Sequence, residues 1–436
     1  MPKPLPQVEL PVAPPELMIP AGATVPGNHG TFGSKPINLS RDMPTFRDLC
    51  QALRYGVRER TTEAATTYAD SFVPPRGFVQ AEYLAWWTTP VSIPILGTTN
   101  TQGGLGFLNE PGTVPIIGAG EFIGPYRNGM RLRAGTWLGD NGWGVDGSGF
   151  FLEKKANEVI LTSDQFPIIT RPVYSPNPIN GGGVIGETGE AVTVPGILTG
   201  SLTVTGWSSI WGFDANIRRC LHTCCDRHAE WFVGYRNVNM QETVWITENI
   251  NVVGTNGGVV IPDPIGTFVF VRDSFGTENY FHGLQFGGLY ERNWGRLFAN
   301  ARGSVAFGAT EQILTIDGYQ IRTQPGQQPV SFPGGGLLAA GPNLGTFSRT
   351  AFSVVTEWTL NVGLAITPRL RVYGGYNLLF WSSVIRPGDQ IDHVVDLSFV
   401  PNAPPVTPSG ELRPAPLFRQ SDMFIHGAQF GLEFRW

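Results

Sequence analysis

The chain ends in MFIHGAQFGLEFRW, residues 423–436, and this stretch decides how the rest is read. Phe424, Ala428, Phe430, Leu432, Phe434 and Trp436 share one parity, with His426 among them. Gln429, Glu433 and Arg435 share the other, beside Gly427 and Gly431. Alternate residues of a strand face opposite sides. One face is therefore aromatic and aliphatic, and the other small and polar.

The same period recurs upstream. In 350–366, Phe352, Val354, Trp358, Leu360, Val362, Leu364 and Ile366 oppose Ser353, Glu357, Thr359 and Asn361. In 369–381, Leu370, Val372, Tyr376, Leu378 and Phe380 oppose Arg371 and Asn377. In 295–309, Leu297, Ala299, Ala301, Val305 and Phe307 oppose Arg296, Asn300 and Arg302. Segments 78–88, 128–138, 142–153, 201–219, 228–247 and 279–292 read alike.

Composition agrees with many short strands joined by turns. The 436 residues include 56 Gly and 36 Pro. Charged residues are 15% of the chain, against about 25% in soluble domains. No apolar run approaches the roughly 18 residues of a spanning helix, so membrane crossing falls to strands. A net charge of -5 and the lack of a basic patch argue against a nucleic-acid partner.

The connections alternate in length. Those near 139–142, 220–227, 293–294 and 367–368 are short, whereas 89–127, 154–200, 248–278, 320–349 and 386–423 are long. Outer-membrane barrels pair short periplasmic turns with long extracellular loops. The expectation is an all-β, transmembrane, antiparallel up-and-down β-barrel of about ten strands over residues 77–436, with twelve as the alternative. Both barrel ends then lie in the periplasm. Residues 1–76 are Pro-rich and non-alternating, and read as a periplasmic extension with a short helix near 45–60. The first twenty residues contain no apolar leader core, so export implies that a leader was removed.

Several strands carry a resemblance: FVQAEYLAWW (Phe78–Trp87), GMRLRAGTWLGDNGWG (Gly129–Gly144), WGFDANIRR (Trp211–Arg219), DSFGTENYFHGLQFGG (Asp273–Gly288), GYNLLFWSSVIRPGDQID (Gly375–Asp392) and GAQFGLEFRW (Gly427–Trp436). These stretches resemble a planctomycete outer-membrane β-barrel family of unknown function. The resemblance covers most of 77–436 and implies fold and location, not an activity.

Four groups of residues are candidates for function. Phe430, Leu432, Phe434 and Trp436 form a terminal pattern similar to the signal read by the barrel-assembly machinery, which would be a partner beside membrane lipid. Cys220, His222, Cys224, Cys225 and His228 cluster without zinc-site spacing. A disulfide within that turn, or from it to Cys50, is preferred to a metal. Asp389, Asp392, His393 and Asp396 read as a solvated loop in preference to a calcium or hydrolytic site.

The inward parity supplies the fourth group. Its acids are Glu82, Asp146, Asp214, Glu230, Glu291, Glu357 and Glu433, and its bases Arg131, Arg133, Arg218, Arg236, Arg302, Arg371 and Arg435. A cation or anion channel would bias these lists. Their equality points to an interior of ion pairs. No catalytic or cofactor motif is present. The expected role is structural, anchoring or surface-interacting, with a closed lumen. A narrow pore or solute transporter is the alternative, and an enzyme at the loop rim the third.

Overall fold

The strands close into a ring because each has one face suited to lipid and one suited to a filled interior. In the structure, a computed structural model, residues 76–139, 142–177, 185–224, 226–255, 263–401, 403 and 406–436 are described. Ten strands make the ring, in chain order: β1 (Gly77–Thr88), β2 (Tyr126–Trp137), β3 (Trp143–Leu152), β4 (Leu198–Cys224), β5 (Arg227–Val252), β6 (Phe268–Trp294), β7 (Leu297–Thr323), β8 (Gly345–Ala365), β9 (Leu370–Ile385) and β10 (Gln420–Arg435). Each pairs antiparallel with its neighbour. β10 returns to β1, from Phe78↔Arg435 to Thr88↔Ile425. Gly77 and Trp436 complete that seam by exchanging backbone hydrogen bonds of 3.2 and 3.1 Å.

The ring therefore has ten strands rather than twelve. Connections 138–142, 225–226, 295–296 and 366–369 share its turn end, and the longer ones share its loop end. Several boundaries differ from the sequence expectation. β4 runs to Cys224, so the Cys220–Arg227 joint is strand on both sides of a two-residue turn. β5, β6 and β7 reach Val252, Phe268 and Thr323, well into segments read as loop.

The cause is an inversion of the two faces. Along β5 the residues of outward parity pass from Trp231, Val233 and Tyr235 to the buried Asn237 and Asn239 and then to Gln241 and Thr243. The inward residues pass from Glu230 and Arg236 to Val244, Ile246, Ile250 and Val252. Near the turn end the wall has lipid outside and a polar interior. Farther along it has water outside and an apolar interior. Alternation continues but its sign reverses, which hides the continuity of the strand from a one-face reading.

That apolar interior is supplied by the loops. Strands Gly97–Asn100, Thr113–Ile117, Ile169–Ser175 and Gly186–Thr193 form one sheet, and Val91–Ile93 pairs with Gly120–Ile123. Lys155–Thr162 pairs with β4 along the stretch that β3 does not reach. Ile93, Ile117, Ile169, Val192, Leu338 and Ile391 pack with Val204, Ile246, Val271 and Ile316 of the ring in one buried core. The loops thus form a packed cap within the extended strands.

Candidate functional site

The barrel interior is layered, and β5 gives the order: Glu230 and Arg236, then Val238 and Met240, then Glu242, then the cap core. Each layer follows from the side chains that its level of the ring turns inward.

The layer nearest the turn end holds the inward charges. Glu82 and Arg131, Asp214 and Arg236, and Arg371 and Glu433 are in-register neighbours on the wall. Other pairs cross the bore. Arg131 of β2 reaches Glu357 of β8 at 2.5 Å and lies 3.7 Å from Glu82. Arg236 of β5 also meets Glu357, at 2.7 Å, and lies 3.6 Å from Asp214. Arg302 of β7 reaches Asp146 of β3 at 3.3 Å and Asp214 at 3.9 Å. A continuous chain results: Glu82, Arg131, Glu357, Arg236, Asp214, Arg302, Asp146. Below it, Glu291 of β6 accepts from Arg371 of β9 at 2.8 Å and from Arg435 of β10 at 3.1 Å. Arg435 also donates to Glu433, and Arg218 lies 3.6 Å from Glu230.

Thirteen of the fourteen charges are thus in pairs within 4 Å. Arg133 is the exception among the described residues, with the charges of Asp214, Asp146, Glu82 and Glu357 acting on it from beyond 4 Å. Buried charges are tolerated only when paired and hydrogen-bonded. Neutral side chains complete the bonding. Tyr373 donates to Glu82 at 2.8 Å, Asn377 to Glu357 at 2.8 Å and Gln80 to Glu433 at 2.5 Å. Asn216 donates to Asp146 at 2.8 Å and to Asp214 at 2.6 Å.

The second layer is apolar, which sequence reasoning missed. Leu84, Trp86, Phe150, Ile210, Val238, Met240, Phe281, Leu379 and Trp381 are buried in one cluster. They share inward parity with the charges, so a search for polar inward residues passes over them. Trp86 and Phe150 border the charge layer, with the Arg131 guanidinium 5.1 and 5.7 Å from their rings. Trp381 satisfies its indole by donating to Thr310 at 3.0 Å.

Above this layer Arg386 clamps the cap to the wall. Its Nε and Nη2 donate to the two oxygens of Glu242 at 2.9 and 2.8 Å. Its Nη1 donates to the Thr89 and Pro90 carbonyls at 3.1 and 2.7 Å. Asn279 and Ile385 exchange two bonds of 2.8 Å beside it. Inside the cap, Arg171 pairs with Glu248 and, at 2.5 Å, with Asp273. Burial pushes the Glu190 and Glu248 carboxyls up, more than nearby Arg171 pulls them down.

The segment 389–396 is not a solvated loop. Asp392 and Asp396 are buried. Asp392 accepts from Arg413 at 2.8 Å and from the Ala415 amide at 2.9 Å. Asp396 accepts from Asn177, Ser398 and Ser409 at 2.6, 2.6 and 2.7 Å. Burial pushes the Asp396 carboxyl up, but these bonds outweigh it and hold it below the ordinary range. A short polar run reads as loop, and the distant donors that bury it leave no local signal.

At the turn end, His228 lies 3.1 Å from Glu230 and edge-on to Trp137. The disulfide expected among Cys50, Cys220, Cys224 and Cys225 falls on Cys50, Cys225 and the Cys224 side chain, outside the described residues. The expected extension 1–76 lies outside them too, save Arg76. Phe430, Leu432, Phe434 and Trp436 are exposed on the outer wall.

The wall's outer belt is apolar, from Trp143, Trp294 and Trp436 at the turn end to Trp87, Tyr126 and Tyr376 near the loop end. Residues 78–436 match the family described as "Putative beta barrel porin-7 (BBP7)", and the chain belongs to that family of outer-membrane β-barrels. Among solved structures it is similar to the outer membrane protease OmpT of Escherichia coli, at 10% identity over 84% of this chain and 98% of that one, TM-score 0.36. It is also similar to a Pseudomonas aeruginosa FadL homologue, at 8% identity over 85% and 91%, TM-score 0.22. A third is a mutant of TodX, a monoaromatic hydrocarbon channel, at 10% identity over 84% and 92%, TM-score 0.18. No curated protein matches.

Proposed function

We propose that this chain is a closed outer-membrane barrel with a structural, anchoring role, presenting its packed cap as an interaction surface. The observation that carries the reading is the pair of stacked seals in the bore. Arg131–Glu357, Arg236–Glu357 and Arg302–Asp146 tie opposite walls together. Trp86, Phe281 and Trp381 fill the level above them. An ion entering the bore would have to break desolvated ion pairs and then enter an apolar layer. The cap core adds a third seal.

The arrangement of connections supports an orientation with short turns and both barrel ends in the periplasm and the cap outside. The strand motifs support a planctomycete source, and the terminal aromatic pattern supports delivery by the barrel-assembly machinery. A local disulfide near Cys220 fits that compartment. Planar-bilayer recording of the purified full chain tests the closed reading. The expected trace is flat over both polarities. Steady unitary conductance from the folded protein would refute it and favour the narrow-pore alternative.

A further inference from the structure

At the turn end the outer wall carries charge. Arg219 on β4, Arg227 on β5 and Arg292 on β6 all have outward parity at the turn end. Arg219 stands in register between Trp143 and Trp231, with its guanidinium 4.7 Å from the Trp143 ring. Those two indoles meet edge to face at 5.9 Å. Arg292 lies 5.4 Å from the Trp294 ring.

Arg227 and Arg292 are direct cross-strand partners. Like charges placed opposite each other on one face destabilise a sheet. Asp226 lies 3.5 Å from Arg227, and both are half exposed. No carboxylate of the described residues lies within 4 Å of Arg219 or Arg292, and the Arg292 Nε is buried without a partner. The outward carboxylates Glu278, Glu311 and Asp422 lie instead toward the loop-end border. Arg219 and Arg292, each against an indole, thus lack an anion at the depth where the belt meets headgroups, and Arg227 beside them has only the half-exposed Asp226. Arginine supplies a planar fork matched to phosphate oxygens, and tryptophan prefers this interface.

We propose that Arg219, Arg227 and Arg292 form a binding site for the phosphate of an anionic glycerophospholipid in the leaflet that meets the turn end. The lipid phosphate sits between Arg227 and Arg292 and relieves their repulsion. Arg219 and the indoles hold the glycerol end of the same or an adjacent lipid. The site rests on the transmembrane reading of the barrel, but not on whether the lumen conducts.

The test uses the full chain folded in detergent, with native mass spectrometry counting bound phosphatidylglycerol against phosphatidylcholine. Folding is read separately by heat-modifiable mobility on gels. The wild type is expected to retain phosphatidylglycerol in preference. The combined Arg219→Gln, Arg227→Gln and Arg292→Gln variant is expected to lose about tenfold or more in affinity for it. Glu311→Gln, on the outward face toward the other border, is expected to bind as wild type. Should the combined variant fail to fold, Arg227→Gln alone, at an exposed position, is expected to lose several-fold. Equal retention of the two lipids by folded wild type, or undiminished retention by the folded variants, overturns the site. Absence of a heat-modifiable form in the wild type strikes the barrel reading instead.

Discussion

An arginine scan along the outward face locates the border between lipid and water. Leu360 of β8 is 64% exposed and opposite Ala301 of β7. Thr315 of β7 is outward too, opposite Thr346, and lies beyond the inversion of faces. Fourteen residues separate Ala301 from Thr315 along one strand. At about 3.4 Å per residue and a tilt of about 40°, that is about 35 Å along the barrel axis. The apolar band of such barrels is about 25 Å tall, so Thr315 stands in water if Leu360 is in lipid. Leu360→Arg is expected to cost about 2–4 kcal/mol, as charges do near the bilayer midplane. Thr315→Arg is expected to stay within about 0.5 kcal/mol, as exposed surface changes do. Both are measured by reversible urea unfolding in phospholipid vesicles, followed by tryptophan fluorescence and checked by gel mobility. Equal costs for the two variants would refute the inversion. A neutral Leu360→Arg would refute the placement of the belt.

Three further outcomes follow from the interior. Glu357→Ala removes the nearest carboxylate of both Arg131 and Arg236, leaving them Glu82 at 3.7 Å and Asp214 at 3.6 Å, and is expected to cost about 3 kcal/mol in urea unfolding; a loss below about 1 kcal/mol would show that the cross-bore pairs do not hold the wall. The cap is expected to loosen as pH rises. Burial raises Glu248 to about 8, so its contribution is complete below the ordinary carboxyl value of 4.5 and is lost as pH climbs through about 8; burial raises Glu190 as well, and its contribution is lost in the same direction. Hydrogen exchange in Ile169–Ser175 and Gly186–Thr193 should therefore quicken relative to the β2–β3 wall between pH 5 and 9, after correction for intrinsic rates, and no such change would contradict it. Deleting Trp436 removes the two backbone bonds to Gly77 and is expected to lower insertion in cells; normal insertion would reduce the terminal pattern to plain amphipathicity.

The ring was legible because lipid imposes a one-sided rule. Phe430, Leu432 and Phe434 against Gln429 and Glu433 needed only a period of two. The inward charges were legible by the same parity, since they alternate with the apolar residues of the belt. Their partners were not. Arg131 and Glu357 are 226 residues apart, and only ring closure brings them within reach. The apolar layer was illegible because Leu379 and Trp381 look like belt residues until parity is followed strictly. The outward arginines escape notice for a related reason: Arg219 and Arg292 are the last residues of segments 201–219 and 279–292, and Arg227 lies one residue before 228–247, where the inward charges draw the reading. The cap was lost in the loops, whose Ile, Val and Leu residues are scattered among Gly and Pro with no period to report.

The way ten strands can be filled from within leads to one more test. Barrels of about eight strands are just filled by side chains, so a ten-stranded bore needs large ones. Large rings also need room at the wall, and glycines directly across the strand provide it. Tyr373 lies over Gly431, Phe232 over Gly287 and Phe298 over Gly363, each an in-register pair. A Cβ on Gly431 would stand 2.4 Å from Cζ of the Tyr373 ring, closer than real contacts allow. The ring cannot simply retreat, because its hydroxyl donates to Glu82 at 2.8 Å and Glu82 is part of the charge chain. Gly431→Ala is therefore expected to cost about 1–3 kcal/mol by overpacking. Gly288→Ala serves as the comparison, since its outward Cβ would meet nothing nearer than the Glu230 carbonyl at 3.3 Å. That change is expected to stay within about 0.5 kcal/mol, as at other surface sites. Urea midpoints in vesicles measure both. If Gly431→Ala is as harmless as Gly288→Ala, the interior is loose enough for a ring to move aside, and the closed lumen loses its physical basis.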